Sequence, residues 1–155
     1  MNLAHLHLAV THLPVVGLAF AMLTSIFAYY KKSDELMKFS LWAFIAVGLL
    51  GLLAYFTGEG AEEILMTYPG YNEEVIEPHE SIANWFFAGT IVLAVGAAAG
   101  LYFVNKGKLL LRKISLWTMI FAIIVCLVGL QTASTGGKLR HTEIEKGEYQ
   151  APTAD

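Results

Sequence analysis

The chain has 155 residues and a mass of 17.0 kDa, which is enough for one domain. Hydrophobic residues make up 56% and charged residues only 15%, whereas soluble proteins carry about 25% charged residues. With a mean hydropathy of +0.57, this composition excludes a soluble enzyme, a disordered tail and a nucleic-acid binder, and it predicts an integral membrane protein. The single cysteine, Cys126, excludes an internal disulfide and any metal site that needs two thiolates.

Four stretches without Asp, Glu, Lys or Arg each reach the length of about 20 residues that a bilayer core of ~30 Å requires. They run from Leu8 to Tyr30, Phe39 to Gly58, Ile82 to Asn105 and Ile114 to Gly137. The predicted fold is therefore an all-α, four-helix membrane bundle over residues 1–140. Its spans are placed at about 6–30, 39–58, 82–105 and 114–135, with an outer loop at 59–81 and a tail at 141–155.

The net charge of −3 is unevenly distributed, and the basic residues predict the orientation. Seven of the ten basic residues lie in the two short turns: Lys31, Lys32, Lys38, Lys106, Lys108, Arg112 and Lys113. The middle connection, from Glu59 to Glu80, carries seven glutamates and no basic residue. Both short turns are therefore predicted to face the cytoplasm. Both termini and the middle loop are predicted to face outward.

All five histidines fall on the predicted outer side. They are His5, His7 and His12 at the start of span one, His79 before span three, and His141 after span four. Counting back from Lys31 at about 1.5 Å per residue places His12 about 28 Å from the cytoplasmic turn, near the outer edge of the hydrocarbon. Histidines in outer loops need no function, but ionisable groups at membrane depth are candidates for one. The cluster therefore indicates a cofactor or metal site.

Pro14 predicts a kink in span one, because its ring displaces the hydrogen bond to the Val10 carbonyl. We expect His12 to be the ligand from this span, with an interfacial hydrogen bond as the alternative. For His5 and His7 a structural role is favoured. His79 is expected to point from the first turn of span three, where Pro78 suits the helix start.

Charged residues surround the histidines at this level. Glu59, Glu62 and Glu63 share one face if the second helix continues past Gly58, and such carboxylates can bind a hard cation or support a histidine ligand. A solvated acidic helix end is equally compatible with them. Beyond span four, Gly136 and Gly137 predict the helix end. Arg140 follows, where its guanidinium could hold a propionate or a phosphate.

In these motifs the chain resembles a family of bacterial four-span membrane proteins of unassigned activity. Members carry His-x-x-x-x-His-Phe-Pro in the first helix, Thr-Gly at the end of the second, a histidine opening the third, and Gly-Gly with a histidine after the last. The matching residues here are His7, His12, Leu13, Pro14, Thr57, Gly58, His79, Gly136, Gly137 and His141, with leucine in place of the family's phenylalanine. The resemblance implies an inner-membrane protein with a periplasm-facing histidine cluster and a redox role.

The leading prediction is a b-type cytochrome-like protein that binds haem b through two histidines near the periplasmic face. Without Cys-x-x-Cys-His the haem would be non-covalent. His12 and His79 are predicted as axial ligands, His7 and His141 as substitutes, and Arg140 as a propionate partner. Electrons would pass between a quinol or a membrane complex and a periplasmic carrier.

Two alternatives stay open, and so does the question of an enzymatic activity. The first is a zinc, iron or copper site that uses mixed imidazole and carboxylate ligands; its candidate ligands are His12, His79, His141, Glu62, Glu80 and Glu143. The second is a cofactor-free accessory subunit of a larger respiratory complex. For this alternative the small-residue stripe from Gly96 to Gly100 would be a helix-packing surface.

Overall fold

The computed structural model describes residues 2–68, 70–103 and 108–140, which are helical apart from short connections. The helices are α1 (Leu3–Val10), α2 (His12–Lys31), α3 (Asp34–Leu65), α4 (Glu73–Phe103) and α5 (Lys108–Arg140). Together α1 and α2 form the first span. This span and the other three helices are each long and apolar enough to cross a membrane. The predicted all-α, four-helix architecture is confirmed, and it is that of a multi-pass membrane protein.

The first span is divided at Thr11 because Pro14 has no N–H to donate to the Val10 carbonyl. Thr11 nevertheless keeps helical dihedrals (φ −60°, ψ −31°), and its N–H donates to the carbonyl of His7 at 2.9 Å. Because no loop separates α1 from α2, the two helices share one angular register. That register decides which histidine of this span faces the interior.

Helices α3 and α4 extend past the apolar stretches into the acidic connection. α3 continues to Leu65, and α4 begins at Glu73 after Asn72, whose side chain accepts from the Val75 N–H at 3.1 Å. The predicted outer loop at 59–81 is thereby reduced to residues 66–72. The prediction for Pro78 is wrong, since this residue lies inside α4, in its second turn.

The spans pack around one apolar core in chain order, and the first also contacts the fourth. Each contributes one inward face, with Leu18, Phe44, Leu93 and Leu111 among the largest fully buried side chains. Only 22–33% of the residues in the apolar windows of the spans are buried inside the bundle. The remaining apolar surface is what helices need where they contact lipid.

The two ends of the bundle differ in chemistry. At the end that we call the lysine end, α2 finishes at Lys31 and the left-handed residue Lys32 (φ 54°) turns the chain into α3. At the opposite end, the histidine end, the α3–α4 connection is tied to the last helix, since the Tyr71 hydroxyl donates to the Leu139 carbonyl at 2.8 Å.

Candidate functional site

His7 lies against the neighbouring helix α3 at the histidine end. Its Nδ1 atom is 3.1 Å from the Ala54 carbonyl oxygen and 3.1 Å from Thr57 Oγ1. A Cβ atom at Gly58 would stand 3.4 Å from the His7 ring, so the glycine lies directly beside the imidazole. His7 is half-buried and faces the bundle interior, in phase with the buried residues Val10 and Pro14.

His79 makes the corresponding contacts from α4 to α5. Its Nδ1 atom is 2.9 Å from Thr135 Oγ1. A Cβ atom at Gly136 would lie 2.9 Å from His79 Cε1, so only glycine leaves room for the ring in this position. The prediction that Gly136 and Gly137 end the helix is wrong, because α5 continues to Arg140.

The two imidazoles are close enough to interact electrostatically. Their hydrogen bonds also define the tautomer. A backbone carbonyl can only accept, so the bond to Ala54 requires Nδ1 of His7 to carry the proton. For His79 the acceptor is Thr135 Oγ1, because the Thr135 hydroxyl donates its own proton to backbone carbonyls of α5. Each ring is thereby left with its lone pair on Nε2, which is the state in which histidine binds a metal or haem iron.

The sequence prediction placed the ligand of the first span at His12, and the structure turns His12 away from the interior. His12 is exposed, whereas His7, five residues earlier, is half-buried. Five residues correspond to about 140° around a helix beyond a full turn, so the two side chains cannot share a face. His5 is also exposed, and its Nδ1 atom contacts Asn2 Oδ1 at 2.8 Å. His141 and Glu143 lie outside the described residues, as does the side chain of Arg140.

Glutamates form a rim at the histidine end. Glu62 is half-buried, and the carboxylates that act on it electrostatically are Glu80, Glu73, Glu59 and Glu63. Glu80, a predicted metal ligand, is exposed. Among residues 2–68, 70–103 and 108–140, no three His, Cys, Asp or Glu side chains are grouped so that they could hold a metal ion.

The fold and the site together define a class: a four-helix membrane bundle with a pair of inward-facing histidines near one end. Comparison with known proteins adds no relative, since no family model, no curated protein and no solved structure matches the chain.

The two threonines that hold the rings were not among the site residues predicted from the sequence. Thr57 was part of a predicted motif, and no role was predicted for Thr135. Two signals in the sequence could have revealed them. The dipeptide Thr-Gly occurs near the same end of spans two and four, at 57–58 and 135–136. His7 also continues the three- and four-residue spacing of the apolar positions at 10, 14 and 18.

Proposed function

We propose that this protein is a membrane-bound b-type cytochrome-like electron-transfer protein in which His7 and His79 are the axial ligands of a non-covalent haem. The observation that carries the proposal is the pair of half-buried imidazoles, each hydrogen-bonded through Nδ1, an arrangement that leaves Nε2 as the ligating atom. A bound haem would supply one-electron transfer at this end of the bundle.

The number of ligands favours haem over a bare metal ion. The porphyrin occupies four positions around the iron, so two histidines complete the coordination. Protein sites for zinc need three or four side chains, and the described residues offer no such group. Helix bundles commonly place cofactors between facing helices. Here the two ligands come from α1 and α4, which belong to the first and third spans.

The experiment that tests the proposal is a visible absorption spectrum of the purified protein, reduced minus oxidised, combined with metal analysis. A low-spin b-type spectrum with one haem per chain is the expected result. A protein that binds zinc or copper stoichiometrically and shows no haem absorption after haem supplementation would overturn the proposal.

The glutamates distinguish haem from a bare metal ion. We expect Glu62→Gln and Glu80→Gln to leave haem content unchanged, because iron with two imidazole ligands needs no carboxylate. If a divalent ion were bound instead, removing a ligand or its supporting carboxylate would cost on the order of 10–100-fold in affinity. Haem and metal titrations of both variants against wild type make this comparison, and a variant that empties the site would contradict the haem proposal.

The proposed location is the bacterial inner membrane with both termini in the periplasm, as supported by the basic turns at the lysine end. Quinol, a periplasmic electron carrier or a larger respiratory complex are the proposed electron partners. To test the orientation, a reporter enzyme that works only in the periplasm is fused after Asp155. This fusion is expected to show enzyme activity. A fusion that works only as a cytoplasmic reporter would reverse the orientation and separate the histidine end from any periplasmic carrier.

A further inference from the structure

We infer that the chain consists of two copies of one two-helix unit, 3–65 and 73–140, and that Thr57 and Thr135 are equivalent positioning residues that orient the two histidines. The inference rests on the proposed function in one respect, namely that the two rings bind the same haem. The equivalence of the two units rests on burial and contacts alone.

The buried positions of the first and third spans coincide when His7 is aligned with His79. In both spans buried residues come 7, 11, 14, 18 and 21 positions after the histidine, and the first span has a further one at Val10. In the first span they are Pro14, Leu18, Ala21, Ser25 and Ala28; in the third they are Phe86, Thr90, Leu93, Ala97 and Gly100. The inward face of α4 therefore repeats that of α1 and α2 at these five positions.

The second and fourth spans coincide in the same way when Thr57 is aligned with Thr135. Buried residues precede each threonine by 20, 17, 13, 10 and 6 positions. They are Met37, Ser40, Phe44, Val47 and Gly51 in α3, and Ser115, Thr118, Ala122, Val125 and Gly129 in α5. Chemically different side chains occupy the paired positions, so the repeat is one of geometry more than of residue identity.

Contacts between the helices of each unit repeat as well. Ten residues after each histidine comes a glycine, and ten before each threonine comes a valine. A Cβ atom on Gly17 would meet Val47 at 3.3 Å, and one on Gly89 would meet Val125 at 2.9 Å. The histidine–threonine hydrogen bonds join residues 50 apart in one unit and 56 apart in the other. The two units therefore share one internal packing arrangement, and in both units the histidine lies at the same end of the bundle.

The two threonines can act only as acceptors toward the rings. The Thr57 hydroxyl donates to the backbone carbonyl oxygens of Leu53 and Ala54, and the Thr135 hydroxyl donates to those of Gln131 and Thr132. Each Oγ1 atom then receives the Nδ1 proton of its histidine. A hydrogen bond of this kind fixes the orientation of a ligating imidazole and raises its basicity.

The two units differ in the number of acceptors within hydrogen-bond distance of Nδ1. His7 Nδ1 lies 3.1 Å from the Ala54 carbonyl oxygen and 3.1 Å from Thr57 Oγ1, whereas His79 Nδ1 makes its 2.9 Å hydrogen bond to Thr135 Oγ1. We therefore expect Thr135→Val to have the larger effect.

The test compares Thr57→Val and Thr135→Val with Thr57→Ser and Thr135→Ser in the full-length protein. The valine variants keep the shape but lose the acceptor, and haem affinity is expected to fall about 10–100-fold. Any haem that remains should have a higher reduction potential, since the less basic imidazole stabilises the oxidised iron less. The serine variants should bind within a few-fold of wild type. Thr132→Ala is the matched control, because Ala54 occupies that position in the other unit and the backbone carbonyl is retained.

Nitrogen-15 NMR of histidine-labelled, haem-free protein provides a second readout. Wild type is expected to show His7 and His79 protonated at Nδ1. Thr135→Val is expected to lose this state at His79, whereas in Thr57→Val the Ala54 carbonyl keeps the proton on Nδ1 of His7. If the wild type binds no haem but shows these tautomers and the loss at His79, the proposed function fails while the positioning role stands. Thr135→Val with an unchanged His79 tautomer and unchanged haem affinity, or serine variants that behave like valine, would overturn the inference.

Discussion

Replacing either His7 or His79 with alanine is expected to remove most of the bound haem, while His12→Ala leaves the haem content at the wild-type level. Each of the first two changes deletes one proposed iron ligand from the bundle interior. The loss in affinity should exceed the roughly 10–100-fold that the loss of an outer-shell partner costs. His12 is a matched control, since it lies five residues from His7 in the same span and its side chain is exposed.

Haem-to-protein ratios of variants purified in parallel, with gel filtration to confirm folding, provide the measurement. The pattern also separates the structural assignment from the sequence-based one. Loss of haem in His12→Ala with retention in His7→Ala would restore His12 as the ligand. Retention in both His7→Ala and His79→Ala would exclude the pair as the haem site.

The second large effect is expected at Gly48, where α3 packs directly against α4. A Cβ atom there would lie 2.5 Å from Ala94 Cβ and 3.2 Å from the Thr90 carbonyl oxygen. Both atoms are fixed to the backbone of α4, so the helices would have to separate. Gly48→Ala is therefore expected to cost about 1–3 kcal/mol, which for a chain of this size lowers the melting temperature by roughly 2–12 °C.

Gly96→Ala provides the control for this substitution. It lies in the Gly96–Gly100 stripe, but a Cβ atom at Gly96 would meet nothing within 4 Å. Both variants gain the same helix propensity from glycine to alanine, so the difference between their melting temperatures in detergent measures the steric conflict alone. Equal melting temperatures would show that α3 and α4 do not pack through Gly48.

The architecture was predictable from charge and length, because a membrane-spanning helix must exclude charged residues over about 20 positions. The level of the histidines was predictable for a related reason, since depth along a helix follows from residue count. The face on which each histidine lies depends instead on its angle around the helix axis. A count of residues gives only the depth along the helix, and depth alone favoured His12 over His7. The phase of Val10, Pro14 and Leu18 identifies His7 as the inward-facing histidine of this span.

The extent of the helices outside the apolar stretches was not predictable by the same argument. Beyond the hydrocarbon, charged residues no longer mark a helix end, and α3 and α4 continue through Glu59 and Glu80. The role of Gly136 was not predictable from its own helix either, because it depends on a contact with the neighbouring helix α4. A glycine near a helix terminus usually signals its end, but here its missing side chain leaves space for the imidazole of His79.

The hydrogen bond from Tyr71 to the Leu139 carbonyl has a consequence for how such a chain could arise. It joins residues 68 positions apart, so the second hairpin begins and ends at nearly the same point in space. A segment whose ends meet can be copied or inserted without straining the rest of a chain, as in circular permutation and domain insertion. The second half of this protein is therefore a hairpin with adjacent ends, which can be duplicated or inserted as one unit. The first helix of that hairpin, α4, can follow any hairpin that ends at the same membrane surface.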